Sequence, residues 1–513
     1  MRQNAIQHAQ RKAVYHGRSP KFIANPSARK SPGMTKPEFL DRCRTKIVAT
    51  VGPACRDPQV LLELVRSGVD VFRVNTAHGK REEHQAVVDD IRAASLAAGR
   101  PVGILVDLAG PKIRLGQLQQ DPIECKLGAE FVFVRGEPKA PNQFSSTYTR
   151  LIDDLAVGNP ILLADGTVSM VVTQVSKEEV HCKVTGAGIL RSRQGINLPG
   201  AKLSVPSMTE ADRENAIWAA QQKIDFVSLS FVRTPREVVA LKELMRSANS
   251  DAYVIAKIEK REALDNLEEV VKAADGVMVA RGDLGVEMDV AETPVAQKRI
   301  IAMCQKWRRP VIVATQMLDS MQQNRRPTRA EATDVANAIY DGADACMLSG
   351  ETAIGLFPIE TVQMMNSIMA VTEEYYVAKP PPRDEQSLLA DEVTPVTAAV
   401  CSGAAHIAQQ LNAKLVVIVT KSGATARIKA KQRDLIPTLG VSDNDQTLRQ
   451  MCLLWGITPM SGLAIDDPPE LRRQVAERGL AAGTLKKGDM LVFVTGGAYI
   501  KRAHNVLVVH EVE

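Results

Sequence analysis

From residue 44 onward the chain repeats one rhythm: a short apolar, β-branched run, then a stretch whose apolar positions recur three and four residues apart. That alternation predicts a parallel sheet wrapped by helices. Strand runs fall at 46–52, 69–75, 102–108, 225–231, 253–259, 276–283, 311–316 and 343–350. Eight is the number that closes a (β/α)8 barrel, expected here over 41–114 and 201–375. About a hundred residues separate the third run from the fourth, far more than a βα crossover needs, so a second unit is inserted. Within it, 168–172 and 180–184 alternate apolar and polar residues, with turn signals at Asp165-Gly166 and Leu198-Pro199-Gly200. The pattern predicts a small all-β domain over 115–200. The barrel resumes with a helix over 209–222, where Thr209 and Asp212 have capping-box spacing.

The segment Lys379-Pro380-Pro381-Pro382-Arg383-Asp384-Glu385 is stiff, extended and charged, and marks a boundary. The domain beyond it, 385–513, reads helix, strand (415–420), helix, strand (438–441), helix and two final strands (490–495 and 506–510), a doubly wound α/β pattern. Residues 1–40 are basic, nearly free of acids and without apolar period. A mobile solvated tail, a chain begun upstream of Met34 and an Arg-rich transit peptide all fit that composition.

Composition narrows the class. A hydrophobic share of 45% with 24% charged residues excludes collagen-like and wholly disordered chains. With 64 Lys+Arg against 59 Asp+Glu the net charge is only +5, too small for nucleic acid as main partner, so any anion binding is local. The 8 cysteines are scattered without a CxxC pair, which speaks against a disulfide framework or structural zinc and for a cytoplasmic setting. No apolar run reaches the roughly 18 residues that cross a bilayer, so no membrane partner is expected.

Catalytic groups of such a barrel collect at the C-terminal ends of its strands. Arg73 and Asn75, Asp107, Lys257 and Glu259, Asp283, Thr315 and Ser349 all fall there. Each alone reads better as a solvated or paired strand-end residue; their coincidence points to a site. Glu259 and Asp283 are hard oxygen ligands of the kind Mg²⁺ or Mn²⁺ takes. Lys257 and Arg73 are cations suited to neutralising a phosphoryl group in transfer. Gly282, in Arg281-Gly282-Asp283-Leu284-Gly285, lets backbone N–H groups approach a substrate carboxylate, and Thr315 offers a hydroxyl. In the last domain Thr420-Lys421-Ser422-Gly423-Ala424-Thr425 follows a strand and opens a helix, which fits either a phosphate cradle or an ordinary capped turn.

Eight motifs stand in one order along the chain: 47–53 (IVATVGP), 73–79 (RVNTAHG), 110–114 (GPKIR), 256–259 (AKIE), 280–285 (ARGDLG), 314–318 (ATQML), 327–331 (PTRAE) and 347–353 (MLSGETA). Together they resemble the pyruvate kinase family from about Arg44 to the C-terminus. The resemblance implies phosphoryl transfer from phosphoenolpyruvate to ADP, giving pyruvate and ATP in the last step of glycolysis. It implies Lys257 as the cation on the transferring group and Glu259 and Asp283 as metal ligands. Arg73 would hold the phosphate, the Gly282 and Asp283 backbone the carboxylate, and Thr315 the enol end. Asn75, His78 and Arg114 would lie toward the nucleotide, and Ser349 would aid proton delivery. The inserted β domain would act as a lid, Thr420, Lys421, Ser422, Gly423 and Thr425 as the site of a phosphorylated allosteric effector, and the assembly would be a homotetramer.

Four positions depart from the family pattern: Ala77 for a serine that helps bind a monovalent cation, Lys112 for glutamate, Ala211 for a nucleotide-contacting lysine, and Ala164 beside Asp165 for a paired aspartate. An ammonium at Lys112, near Asn75 and Asp107, would replace the potassium ion, so potassium is not expected to be required. A metal-dependent pyruvate or oxoacid aldolase and a non-catalytic binding paralogue are the alternatives.

Overall fold

The computed structural model describes residues 43–201, 203–378, 395–496 and 505–513. The basic segment 1–40, the Pro-rich linker 379–385 and residues 497–504 lie outside the described residues. Strands β1 (Lys46–Thr50), β2 (Val71–Asn75) and β3 (Gly103–Asp107) run into the insertion; β12 (Phe226–Leu229), β13 (Tyr253–Ile258), β14 (Gly276–Ala280), β15 (Val311–Ala314) and β16 (Ala345–Leu348) follow it. The eight pair in parallel and close on themselves through β1 and β16. Burial on both faces of the sheet explains their uninterrupted apolar runs.

Seven of the eight strands stop before the predicted runs do, and β2 ends with its run at Asn75. The run over 276–283 ends as strand at Ala280, and 281–287 is a helix, Arg281–Glu287, carrying Gly282 and Asp283. Polar residues at the strand ends leave the sheet to form the barrel mouth. The helix Glu210–Gln221 begins at Thr209 with the capping box that the spacing predicted.

A fourfold repeat anchors the opposite, N-terminal face. Asp70, Asp225, Asp275 and Asp344 each stand one residue before β2, β12, β14 and β16, the even strands of the barrel. Each carboxylate accepts a backbone N–H from the strand before it: from Ile47 at 3.0 Å, Ile104 at 2.9 Å, Val254 at 3.0 Å and Val311 at 2.7 Å. Buried carboxylates need cations as well. Arg100 serves Asp70 and Lys242 serves Asp275 from within the barrel, while Arg449 reaches Asp225 at 2.8 Å and Lys431 and Arg433 reach Asp344 from the C-terminal domain. Cys452 and Leu453 of that domain close the apolar interior of the barrel against Val48, Phe226 and Ile312.

The insertion contains β4 (Ile123–Cys125), β5 (Glu130–Val134), β6 (Gln143–Phe144), β7 (Pro160–Leu163), β8 (Val168–Val175), β9 (Glu179–Gly186), β10 (Gly188–Leu190) and β11 (Ile196–Asn197), plus one short helix, Leu151–Asp154. They form a six-stranded mixed sheet and a two-stranded one around a core of their own, centred on Phe131, Phe133 and Phe144. The C-terminal sheet runs β19 (Ile457–Met460), β18 (Thr438–Val441), β17 (Leu415–Val419), β20 (Met490–Gly496) and β21 (Asn505–Glu511), with only β21 antiparallel. Strand β19 is absent from the predicted order. It holds Thr458-Pro459, and a proline inside a short run argues against a strand unless, as here, the strand lies at the sheet edge.

Candidate active site

Strands β2, β3, β12 and β13 deliver side chains to one buried polar cluster at the mouth. Asp107 lies between two cations. The Arg73 guanidinium donates to its Oδ2 from Nε at 2.8 Å and Nη2 at 2.6 Å, and the Lys257 ammonium stands 3.4 Å from Oδ1. Ser228 donates to Asp107 Oδ1 at 2.6 Å. Lys257 reaches Ser230 Oγ at 2.7 Å and Glu259 Oε1 at 2.8 Å, and Arg73 Nη1 donates to Thr50 Oγ1 at 3.1 Å. Alternation along a strand explains the set: Ser228 and Ser230 are two apart, as are Lys257 and Glu259.

Burial dominates the electrostatics here and would push the Asp107 carboxyl up. Lys257 and then Arg73 overcome it and hold the group at about 2, below its ordinary 3.8. Burial would equally pull the Lys257 ammonium down, but Asp107 and Glu259 raise it, so it stays charged. Glu259 goes the other way. Burial lifts it, Lys257 lowers it, and the neighbouring Asp283 lifts it again, for a net rise. Two carboxylates that repel in this way, with only oxygen to offer, fit a hard divalent cation. Among the described residues no group of three or more His, Cys, Asp or Glu converges in a way that could hold a metal ion. The other Glu259 oxygen accepts the Phe231 N–H at 2.6 Å, an approach made possible by a left-handed backbone at Phe231.

The remaining expected residues lie around this cluster. Thr315 Oγ1 accepts the Gly282 N–H at 2.8 Å, which joins the end of β15 to the helix bearing Asp283. Ser349 donates its N–H to Glu351 Oε2 at 2.7 Å, and Glu351 Oε1 accepts the Leu318 N–H at 3.2 Å, so one buried carboxylate ties the loops after β15 and β16. Asn75 Oδ1 accepts the Ala77 N–H, and the exposed His78 is held by its carbonyl to the His84 ring at 2.7 Å. Arg114 does not join the cluster; its guanidinium donates to the Arg193 carbonyl in the inserted domain. Lys112 is exposed and makes no ion pair among the described residues. It borders, with Asp283, Lys260, Arg233 and Asp165, an open cleft between barrel and insertion.

The Thr420–Thr425 turn lies at the other end of the barrel. Gly423 adopts φ +76° and donates to Thr420 Oγ1 at 3.1 Å, while Tyr253, first residue of β13, donates its hydroxyl to the Ser422 carbonyl at 3.3 Å. Sequence reasoning missed Ser228, Ser230, Thr50 and Glu351. The period-two spacing of the two serines on a strand already assigned was the signal that could have found them.

The chain matches the family models for the pyruvate kinase barrel domain over residues 42–362 and the pyruvate kinase alpha/beta domain over 398–510. It is 40% identical over 475 residues to a pyruvate kinase of Bacillus licheniformis, covering 91% of this chain and 80% of that one. It is 41% identical to a pyruvate kinase of Geobacillus stearothermophilus over 458 residues, 88% of this chain and 77% of that one. A crystal structure of a pyruvate kinase from Cryptosporidium parvum superposes with a TM-score of 0.85 at 31% identity, covering 93% of this chain and 97% of that one.

Asp107→Asn keeps the volume and removes the buried charge that Lys257 and Arg73 share, so it should cost about 3 kcal/mol of stability at neutral pH. Since the folded Asp107 titrates near 2 rather than 3.8, its contribution is complete above about pH 4 and is lost as pH falls toward 2. Denaturant midpoints of wild type and variant should therefore converge on acidification; a gap that stays constant with pH would remove Asp107 as the shared counter-charge.

Proposed function

The chain belongs to the pyruvate kinase family, and we propose that Arg73, Lys257, Glu259, Gly282, Asp283, Thr315 and Ser349 divide its reaction among them. That reaction moves the phosphoryl group of phosphoenolpyruvate to ADP and yields pyruvate and ATP. The observation that carries the assignment is the buried Lys257 ammonium, fixed between Asp107, Glu259 and Ser230 at the mouth. A cation already in place and shielded from water needs no reorganisation when charge spreads over the transferring phosphoryl oxygens.

Glu259 and Asp283 would hold Mg²⁺ or Mn²⁺, which when bound supplies further positive charge to those oxygens. Arg73, oriented by Asp107 and Thr50, would grip the phosphate. The Gly282 and Asp283 N–H groups would receive the substrate carboxylate. Thr315 would face the enol end, and Ser349, held through Glu351, would assist the proton that turns enolpyruvate into pyruvate. Asn75 and His78 on the mouth rim and Arg114 on the seam with the insertion would meet ADP. Closure of the inserted domain over the cleft would exclude water and protect the phosphoryl group from hydrolysis. The aldolase and the non-catalytic readings are not favoured.

Lys112 would stand in for the monovalent cation, because it lines the cleft and is committed to no carboxylate among the described residues. The Thr420–Thr425 turn would take a phosphorylated effector, with the hydroxyl of Tyr253 linking it to β13. Tyr340, Val371 and Tyr375 are 45%, 70% and 54% exposed on adjoining helices, an apolar face that supports self-association, which the family resemblance puts at a homotetramer. Seven of the eight cysteines are buried and none forms a disulfide, which agrees with the expected cytoplasmic setting; no helix among the described residues is long and apolar enough to cross a membrane.

Lys257→Met should lower kcat by about 10² or more with Mg²⁺ binding retained, since the lost interaction is realised in the transition state. Near-normal turnover in that variant would take Lys257 out of the mechanism. Wild-type activity should be independent of potassium in tetraalkylammonium buffer, and Lys112→Glu should need potassium or be inactive; turnover appearing only when potassium is added to the wild type refutes the substitution. A phosphorylated metabolite from a panel of sugar phosphates and nucleotides should shift the phosphoenolpyruvate saturation curve, by a coupling of roughly 1–3 kcal/mol, and Ser422→Asp should abolish the shift. A curve that no member of the panel moves removes the effector assignment.

A further inference from the structure

At the end of β15 the chain turns through Thr315 and Gln316 with φ of +68° and +54°. A left-handed backbone crowds any Cβ against neighbouring carbonyl oxygens, and a β-branched side chain makes the crowding worse. Thr315 is the one β-branched residue with positive φ among the described residues. A conformation so disfavoured persists only where its surroundings over-determine it.

Arg281 does that. Its Nη2 donates to the Thr315 carbonyl at 2.7 Å and its Nε to the Ala314 carbonyl at 3.3 Å. Nη1 meets both carboxylate oxygens of Asp334, at 2.8 and 2.7 Å, and this aspartate lies on the outer helix Arg329–Asp341. From the other side the Thr315 hydroxyl donates to the Ala314 carbonyl at 2.6 Å and accepts the Gly282 N–H. The backbone of Arg281 opens the helix carrying Gly282 and Asp283. One residue thus fixes two candidate substrate-binding loops relative to each other.

We propose that Arg281, braced by Asp334, is a positioning residue for the reaction: it holds the Thr315 turn left-handed so that the Thr315 hydroxyl stays against Gly282 and faces the substrate. The proposal rests on the reading of Thr315 as a substrate contact. Arg281 and Asp334 would act through Thr315 and not on the reacting atoms. If strain at the branched side chain is what they oppose, Thr315→Ser, which keeps the hydroxyl and removes the methyl, should need them less.

Steady-state kinetics of the full-length enzyme, with phosphoenolpyruvate and ADP varied separately, test this. Asp334→Asn and Arg281→Lys should each lower kcat/KM for phosphoenolpyruvate about tenfold while KM for ADP stays within about twofold. In a Thr315→Ser background, Asp334→Asn should cost less than about threefold. Thr315→Ala without effect on phosphoenolpyruvate kinetics would sink the reading of Thr315 itself. Thr315→Ala impaired, with Asp334→Asn and Arg281→Lys like wild type, would overturn the positioning role alone. An equal loss from Asp334→Asn in both backgrounds would also overturn it, since the pair would then support the barrel in general. Should Arg281→Lys fail to fold, Asp334→Asn carries the comparison, being isosteric at a residue whose side chain is 35% exposed.

Discussion

A lysine ammonium buried among carboxylates governs the chemistry of this barrel mouth. Lys257 and Arg73 share Asp107, and Lys257 also meets Glu259, which feels Asp283 beyond it. Within this cluster two cations face three carboxylates, so the cluster by itself carries an excess of negative charge. In the proposed reading a divalent cation held by Glu259 and Asp283 would reverse that sign, and metal dependence would then be a matter of charge balance before it is a matter of catalysis. Glu259 is displaced upward in spite of the ammonium beside it, first by burial and then by the neighbouring Asp283.

Holding such an array costs free energy, and the rest of the fold is arranged to meet it. The strands carrying these residues are tied at their far ends by the four aspartates before the even strands, whose carboxylates each bridge to the neighbouring strand. Two of the four are neutralised from the C-terminal domain, which also closes the barrel interior with Cys452 and Leu453. That domain is therefore part of the barrel's own stability. The path from the Thr420–Thr425 turn through Tyr253 and along β13 to Lys257 and Glu259 is a continuous run of one strand.

What the sequence made legible follows from what each element asks of its residues. Parallel strands buried on both faces need β-branched runs, so all eight were visible, and the charged residue ending a run marked the mouth. The run over 276–283 overshoots the strand: its apolar rhythm ends at Ala280, and the polar end, Arg281-Gly282-Asp283, belongs to the helix that follows. Strand β19 was hidden by Pro459. The left-handed turn at Thr315 left no trace, since it is imposed by Arg281 and Asp334 from outside and not by a glycine. The fourfold aspartate was present as a residue just before alternate strands, but only the closed barrel shows that all four do the same work.

The most direct test of the charge-balance account is the joint production of pyruvate and ATP from phosphoenolpyruvate and ADP by chelator-treated wild-type enzyme, followed as a divalent cation is titrated in. The account predicts no turnover without the cation, and one ATP for each pyruvate once it is present. Full turnover in its absence, or pyruvate released without matching ATP, would contradict it.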